Sequence, residues 1–237
     1  LLSATVKFEG RLVLQARSDG HVPLIMAECT SERHLRGIAR FTEDLHSDRF
    51  LTLLQGGTLA ITIEPEKGES YPGIVPLEHP SLSARLEDYF ARSEQLETRL
   101  FLTSRNQQCA GLLLQPLPAQ HVRDQQVRQD EWNEISQLAA TLSAEELLGL
   151  GSEQLLYRLF HQHRVKLFPQ QDVSHRCSCS RERTARALHA IGEEEVMDIV
   201  AEQGAVDISC EFCGKHYHFQ KSELQLPFTA TPDTQVH

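Results

Sequence analysis

Polar and apolar residues alternate along much of the first 120 residues, the period of a strand with one face buried. Val6 and Phe8 alternate with polar neighbours, so the chain reads as opening inside a strand. Leu12 and Leu14 continue the pattern after Gly10, Asp19-Gly20 marks a turn, and Val22–Ala27 follows. Gly37–Phe41 is a further short strand. Leu59, Ile61 and Ile63 alternate through Thr58–Glu64, and Pro65-Glu66-Lys67-Gly68 turns the chain into Tyr71–Leu77. A helical period interrupts at Ser81–Arg92, where Leu82, Leu86, Tyr89 and Phe90 share a face. Strands at Arg99–Thr103 and Gly111–Gln115 close the region. Strands with few helices between them predict an α+β fold, a mainly antiparallel sheet domain over residues 1–120 with packed helices.

The period becomes helical over residues 121–172. Trp132, Ile135, Leu138, Ala139 and Leu142 recur on one face. Ser143 with Glu146 makes a capping box for a short helix through Leu148, which Gly149-Leu150-Gly151 ends. Ser152 caps another helix carrying Leu155, Leu156, Leu159 and Phe160. Each helix is short, so this helical linker depends on packing against the sheet. Pro169-Gln170-Gln171-Asp172 leads into a third region, residues 173–237. There Ser180 caps a helix through Ile191, and Gly192 with Glu193–Glu195 opens a second. Val196, Ile199 and Val200 form its inner face, and Gly204 stops it. Val206–Ser209 and His216–Phe219 form a hairpin around Cys210–Cys213.

The chemistry sits in that third region. Cys177-Ser178-Cys179 and Cys210-Glu211-Phe212-Cys213 are two close pairs with thirty residues between them. That is the pattern of a tetrahedral four-thiolate zinc site, because zinc takes soft thiolates and imposes no geometry of its own. One half is C-x-C rather than C-x2-C, and thiols so close can also join if the metal leaves. The site is therefore a candidate switch. His175, His216 and His218 lie near enough to substitute as ligands, although four thiolates already fill a tetrahedron. Cys29 and Cys109 are isolated in apolar runs and read as buried, inert thiols.

Composition narrows the alternatives. The 237 residues hold 33 acids and 23 basic residues, a formal charge of −10, which disfavours non-specific nucleic-acid binding. No apolar run is long enough for a membrane span, and no signal peptide precedes the fold. Six cysteines, four in metal spacing, fit a reducing cytosol better than a disulfide scaffold. Phosphate-cradling, nucleophile-elbow and H-E-x-x-H motifs are absent, and the C-x-x-C lacks the βαβ setting of a thioredoxin centre. Glu87 and Asp88, and Glu193–Glu195, read as solvated helix faces.

The motifs Cys177-Ser-Cys-Ser-Arg-Glu-Arg183 and Cys210-Glu-Phe-Cys-Gly214 occur together with Arg36-Gly-Ile-Ala-Arg40, Leu86-Glu-Asp-Tyr-Phe90, Ser93-Glu-Gln-Leu96, Thr98-Arg-Leu-Phe101 and Leu112-Leu-Leu-Gln115. In these the chain resembles, over essentially its whole length, the redox-regulated holdase chaperones, the bacterial thirty-three-kilodalton heat-shock protein family. The resemblance implies a cytoplasmic, ATP-independent chaperone with no enzymatic activity. Reduced, it would be an inactive monomer with one Zn2+ on Cys177, Cys179, Cys210 and Cys213. Oxidation would form Cys177–Cys179 and Cys210–Cys213 disulfides and release the zinc. Module and linker would then unfold, homodimers would form, and unfolding or oxidatively damaged clients would be held on the domain of residues 1–120. Family members carry a further N-terminal segment, so the chain, which starts at Leu1, is expected to lack its natural N-terminus.

Elementary energetics agree with such a mechanism. A module of roughly 55 residues buries too little surface to be secure alone. Zinc contributes on the order of 10–16 kcal/mol to such folds. A disulfide between near neighbours closes a tiny loop and restrains the unfolded chain little. Two other classes compete. A zinc ribbon docking on nucleic acid or protein would favour positive charge, yet residues 175–225 hold six Lys/Arg against nine acids, a net of −3. A thiol oxidoreductase would need a free thiol, which a saturated site denies.

Overall fold

The computed structural model describes residues 1–43, 49–117 and 124–228. The rest, including residues 121–123 of the expected linker and the end of the expected module, lie outside the described residues. The chain divides into two compact units, residues 1–34 with 39–174, and residues 35–38 with 175–237.

The first unit opens with a helical turn, α1 (Leu2–Thr5), where a strand was expected. The turn closes locally: Ala4 N–H donates to the Leu1 carbonyl at 2.9 Å, and the Thr5 hydroxyl donates to the Leu2 carbonyl at 2.9 Å. It buries Leu2, and strand pairing starts only at Gly10. β1 (Gly10–Arg17) then runs antiparallel to β2 (Leu24–Thr30). β3 (His34–Arg40) begins earlier than the expected Gly37, and a turn of helix, α2 (Phe50–Leu53), was not foreseen. β4 (Thr58–Pro65) and β5 (Tyr71–Pro76) lie where alternation places them, and within this unit β5, β4, β1 and β2 are neighbours in that order, every pair antiparallel. Register puts Leu12, Leu14 and Ala16 opposite Ile63, Ile61 and Leu59. These six pack with Val75 into one core, which α3 (Leu82–Ser93) seals with Leu86, Tyr89 and Phe90.

The Ser81 hydroxyl caps α3, accepting from Ala84 N–H at 3.2 Å. Two expectations on this helix are corrected. Leu82 is exposed and Arg85 is buried in its stead, its charge met by Asp88 at 2.6 Å. Glu87 and Asp88 are therefore not a simply solvated face: Asp88 also pairs with Arg92 at 2.6 Å, and Glu87 accepts the Leu100 N–H at 2.7 Å.

β6 (Arg99–Arg105) and β7 (Gln108–Leu114) form a separate hairpin. Its two-residue loop, Asn106-Gln107, has φ of 51° and 63°, the left-handed pair that matches strand twist. The helices α4 (Gln125–Ala140), α5 (Ala144–Gly149) and α6 (Ser152–Phe160) pack against this hairpin. Ala139, Leu155, Leu159 and Phe160 are buried among Phe101, Leu112 and Leu114. The capping box is complete, with Glu146 N–H donating to Ser143 Oγ at 3.2 Å and Ser143 N–H to the Glu146 carboxylate at 3.0 Å. Ser152 does not cap α6; the cap is Gly151, which offers no side chain.

The second unit follows β8 (Ser174–His175). Ser180 Oγ caps α7 (Arg181–Ile191) by accepting from Arg183 N–H at 3.2 Å. α8 (Glu193–Gln203) stops at Gly204, whose φ of 81° is the left-handed conformation a helix C-terminus asks of glycine. β9 (Ala205–Ser209) and β10 (His216–Gln220) pair antiparallel, and α9 (Lys221–Phe228) follows, unforeseen. Leu188, Val196, Val200, Val206, Tyr217, Phe219 and Leu224 make a small core, with Val196 at 0% exposure.

Candidate metal and redox centre

Local structure delivers each cysteine to one point. Cys177 follows β8, and Cys179 immediately precedes the Ser180 cap of α7. Cys210 leaves the end of β9, and Cys213 sits in the hairpin turn. That turn is tied by Cys210 N–H to the Lys215 carbonyl at 2.9 Å and by Gly214 N–H to the Cys210 carbonyl at 2.8 Å. Gly214 has φ of 70° with open space around it, so the backbone conformation, not crowding, requires glycine there.

The four Sγ atoms lie within 4.8 Å of one another. Cys177 and Cys210 are 3.6 Å apart, and Cys179 and Cys213 are 3.4 Å apart. A tetrahedron with metal–sulfur bonds of ~2.3 Å has sulfur–sulfur edges of ~3.8 Å. The thiols are free, much too far apart for a bond of ~2.05 Å. The donor set therefore fits a metal ion, and among the described residues the cluster includes no histidine. His216 and His218 are engaged elsewhere, with Ser209 Oγ at 2.7 Å and Asp207 at 2.9 Å, and His175 is not part of the cluster.

The sulfurs polarise one another. Burial works to raise Cys177, but hydrogen bonds from the Cys179 backbone and from the Cys179, Cys213 and Cys210 thiols outweigh it and bring Cys177 down to about 6. Cys213 behaves oppositely: the Lys215 backbone bond works to lower it, but the neighbouring Cys179, Cys177 and Cys210 push it up to about 12. Arg36 Nη1 stands 3.8 Å from Cys177 Sγ, its guanidinium stacked 4.0 Å over the Phe212 ring. Arg183 Nη1 donates to Ser178 Oγ at 3.0 Å, bracing the first pair from α7. Sequence reasoning gave Arg36, Phe212 and Arg183 no part in the site. Arg36 and Arg183 lie within the motif strings that carry the family resemblance, but no spacing rule joins Arg36 to a cysteine 141 positions away.

The other two cysteines are apart from the cluster. Cys29 is buried as expected, its thiol donating to Ser3 Oγ at 3.2 Å. Cys109 is exposed, contrary to expectation: it pairs with Ser104 towards the turn end of the β6–β7 hairpin.

Comparison with known proteins settles the family. The family model described as Hsp33 protein matches residues 1–220. The 33 kDa chaperonin of Ectopseudomonas mendocina is 49% identical over 231 residues, covering 96% of this chain and 78% of the relative. The chain belongs to the Hsp33 family. The 33 kDa chaperonin of Pseudomonas savastanoi pv. phaseolicola is 48% identical over 231 residues, covering 96% of this chain and 77% of that relative. The crystal structure of the Thermotoga maritima 33 kDa chaperonin shares the fold with a TM-score of 0.76 at 21% identity, over 96% of this chain and 80% of that one. An Hsp33 fold with antiparallel sheet, packed helices and a cysteine cluster fitting a zinc-binding module is the α+β architecture expected from sequence. The relatives' name of chaperonin is consistent with a protein that is not an enzyme. Among the described residues no helix is long and apolar enough to cross a membrane.

Proposed function

We propose that this chain is a redox-regulated, ATP-independent holdase of the cytoplasm, kept inactive by one zinc ion on Cys177, Cys179, Cys210 and Cys213. One observation carries the reading: Cys179 and Cys210 pack directly against the small core of the second unit. Chemistry at the sulfurs is therefore felt by the residues that hold the unit together. Metal binding stabilises such a core through thiolates contributed from both ends of the unit's sequence. Zinc-held thiolates stay deprotonated, the form that peroxide attacks. Each pair of thiolates that joins gives two electrons to one peroxide. The O–O bond breaks, and with two protons it leaves as two waters. Two peroxides and four protons convert the site into two disulfides and a free Zn2+. The pairing is Cys177–Cys179 and Cys210–Cys213, as the family implies; each bond would close a very short loop and replace little of the lost stability.

Unfolding then spreads through the second unit and the helices of residues 121–172, the oxidised chains, monomers while reduced, form homodimers, and clients are held on the sheet domain of residues 1–120. Exposed apolar side chains at Val165, Leu167, Phe168 and Val173 already lie along the segment after α6 and support capture of unfolded chains. The test is zinc content measured beside suppression of client aggregation, before and after peroxide, with disulfides mapped by peptide analysis. One zinc per reduced chain, lost as suppression appears and the two local disulfides form, is the expected result. Suppression without zinc loss, or zinc below about half the amount of a one-per-chain site with thiols intact, overturns it.

A further inference from the structure

Tyr217 is 4% exposed, in the core of the second unit, and its hydroxyl is wholly buried. Among the described residues no hydrogen bond of ordinary geometry reaches that hydroxyl. Its ring is fixed by β10, opposite Ile208, with the Lys215 ammonium 5.4 Å from the ring centre. The Cys179 thiol packs against the same core, near enough to perturb the phenol. Cys179 Sγ also lies 3.4 Å from Cys213 Sγ. A buried hydroxyl without a good partner is penalised relative to a satisfied one. A phenylalanine would fill the same space without that penalty. A hydroxyl placed here beside a sulfur cluster is thus explained by an acceptor stronger than a neutral thiol.

We propose that Tyr217 is a positioning residue of the metal centre, its Oη–H donating a hydrogen bond to the Cys179 thiolate once zinc is bound. This rests on the metal reading given above. A metal-bound thiolate is a strong acceptor with lone pairs to spare, whereas a thiol is a weak one. The bond fixes the Cys179 side chain and withdraws charge from its sulfur. Outer-shell donors of this kind tune both metal affinity and ligand reactivity. Cys179 would then be the thiolate least open to peroxide, and Tyr217 would help set how much oxidant releases the metal.

The test compares wild type and Tyr217→Phe as full chains. Zinc affinity, measured by chelator competition, is expected to fall by about tenfold. In the Co2+-loaded protein the thiolate-to-metal charge-transfer band is expected to shift to lower energy, since a thiolate relieved of its hydrogen bond gives up electron density more readily. In the metal-free protein the substitution is expected to leave the denaturation midpoint unchanged or raised, because a neutral thiol is only a weak acceptor for the hydroxyl. Unchanged affinity with an unshifted cobalt band overturns the proposal, and so does an equal loss of stability with and without metal, the mark of a purely structural role. A wild type that fails to bind zinc removes the metal reading and this inference together. A wild type that binds, with Tyr217→Phe indistinguishable from it, removes this inference alone.

Discussion

Arg36 brings a fixed positive charge to a group of sulfurs that, loaded with a divalent ion, would carry two net negative charges. The guanidinium lies 3.8 Å from Cys177 Sγ and is held flat on Phe212. Planarity matters here, since a lysine ammonium cannot stack in the same way. Arg36→Ala is expected to lower zinc affinity by about tenfold, and Arg36→Lys to recover only part of the loss; chelator competition on the three proteins checks this. An affinity insensitive to both changes would show that the guanidinium serves packing alone. Cys29 and Cys109 offer the opposite expectation. Replacing both by serine should leave peroxide-dependent zinc release unchanged, even though exposed Cys109 will react with thiol reagents; slowed release would give one of them a part in the switch. At this scale the four clustered cysteines were legible, because ligand spacing is a local property of the chain. Arg36 and Tyr217 were not, because their relation to the sulfurs is created by folding. The exposure of Cys109 was missed because an apolar neighbourhood in sequence says nothing about which end of a hairpin is covered.

The elements follow local rules wherever those rules are complete. Capping residues predicted α5 and α7, and those caps are present as hydrogen bonds; α3, read from its period, is also capped, by Ser81. Ser143→Ala should therefore cost about 1 kcal/mol in α5, visible as roughly fivefold faster amide exchange at Leu147 if α5 opens independently of its neighbours. The Glu146 half of the same box is pH-dependent. Bonds from the Ser143 backbone and hydroxyl hold its carboxyl below the usual range, with Arg158 assisting. Its folded value is depressed, so its contribution is present above the unfolded carboxylate range and fades as pH falls through the folded value. Protection of Leu147, taken relative to the intrinsic exchange rate at each pH, should fall on acidification in wild type, and less so in Ser143→Ala; identical acid sensitivity would mean the box contributes nothing. Where local rules fail, a tertiary partner decides. The first residues have strand-like alternation but no strand to pair with until Gly10, and they close into a helical turn that buries Leu2. α9 was overlooked because its only described buried apolar residue is Leu224, too little for a period to register.

Each unit keeps its own core, and the helices α4 to α6 add a third cluster built on the β6–β7 hairpin. Hydrophobic period and capping identified these helices, and they are packed against strands. What period could not show was the partner, a two-stranded hairpin and not the larger sheet, since strand pairing is a long-range property. α5 and α6 have only 6 and 9 residues, too short to persist undocked. Docking must come from Leu155, Leu159 and Phe160 against Phe101, Leu112 and Leu114. Truncating a buried phenylalanine costs about 3–5 kcal/mol, which is comparable with all the local stability such helices can draw on. Phe160→Ala should therefore free α6 in the reduced, metal-loaded protein and uncover the hairpin face. If that face is the apolar surface normally withheld from clients, aggregation suppression will appear without peroxide while zinc content stays at the wild-type level. Hydrogen exchange over residues 152–160 must accompany the activity measurement, so that undocking is seen directly. Should exchange show α6 free while suppression still requires peroxide, these helices are not the gate, and client capture has to arise from unfolding of the second unit alone.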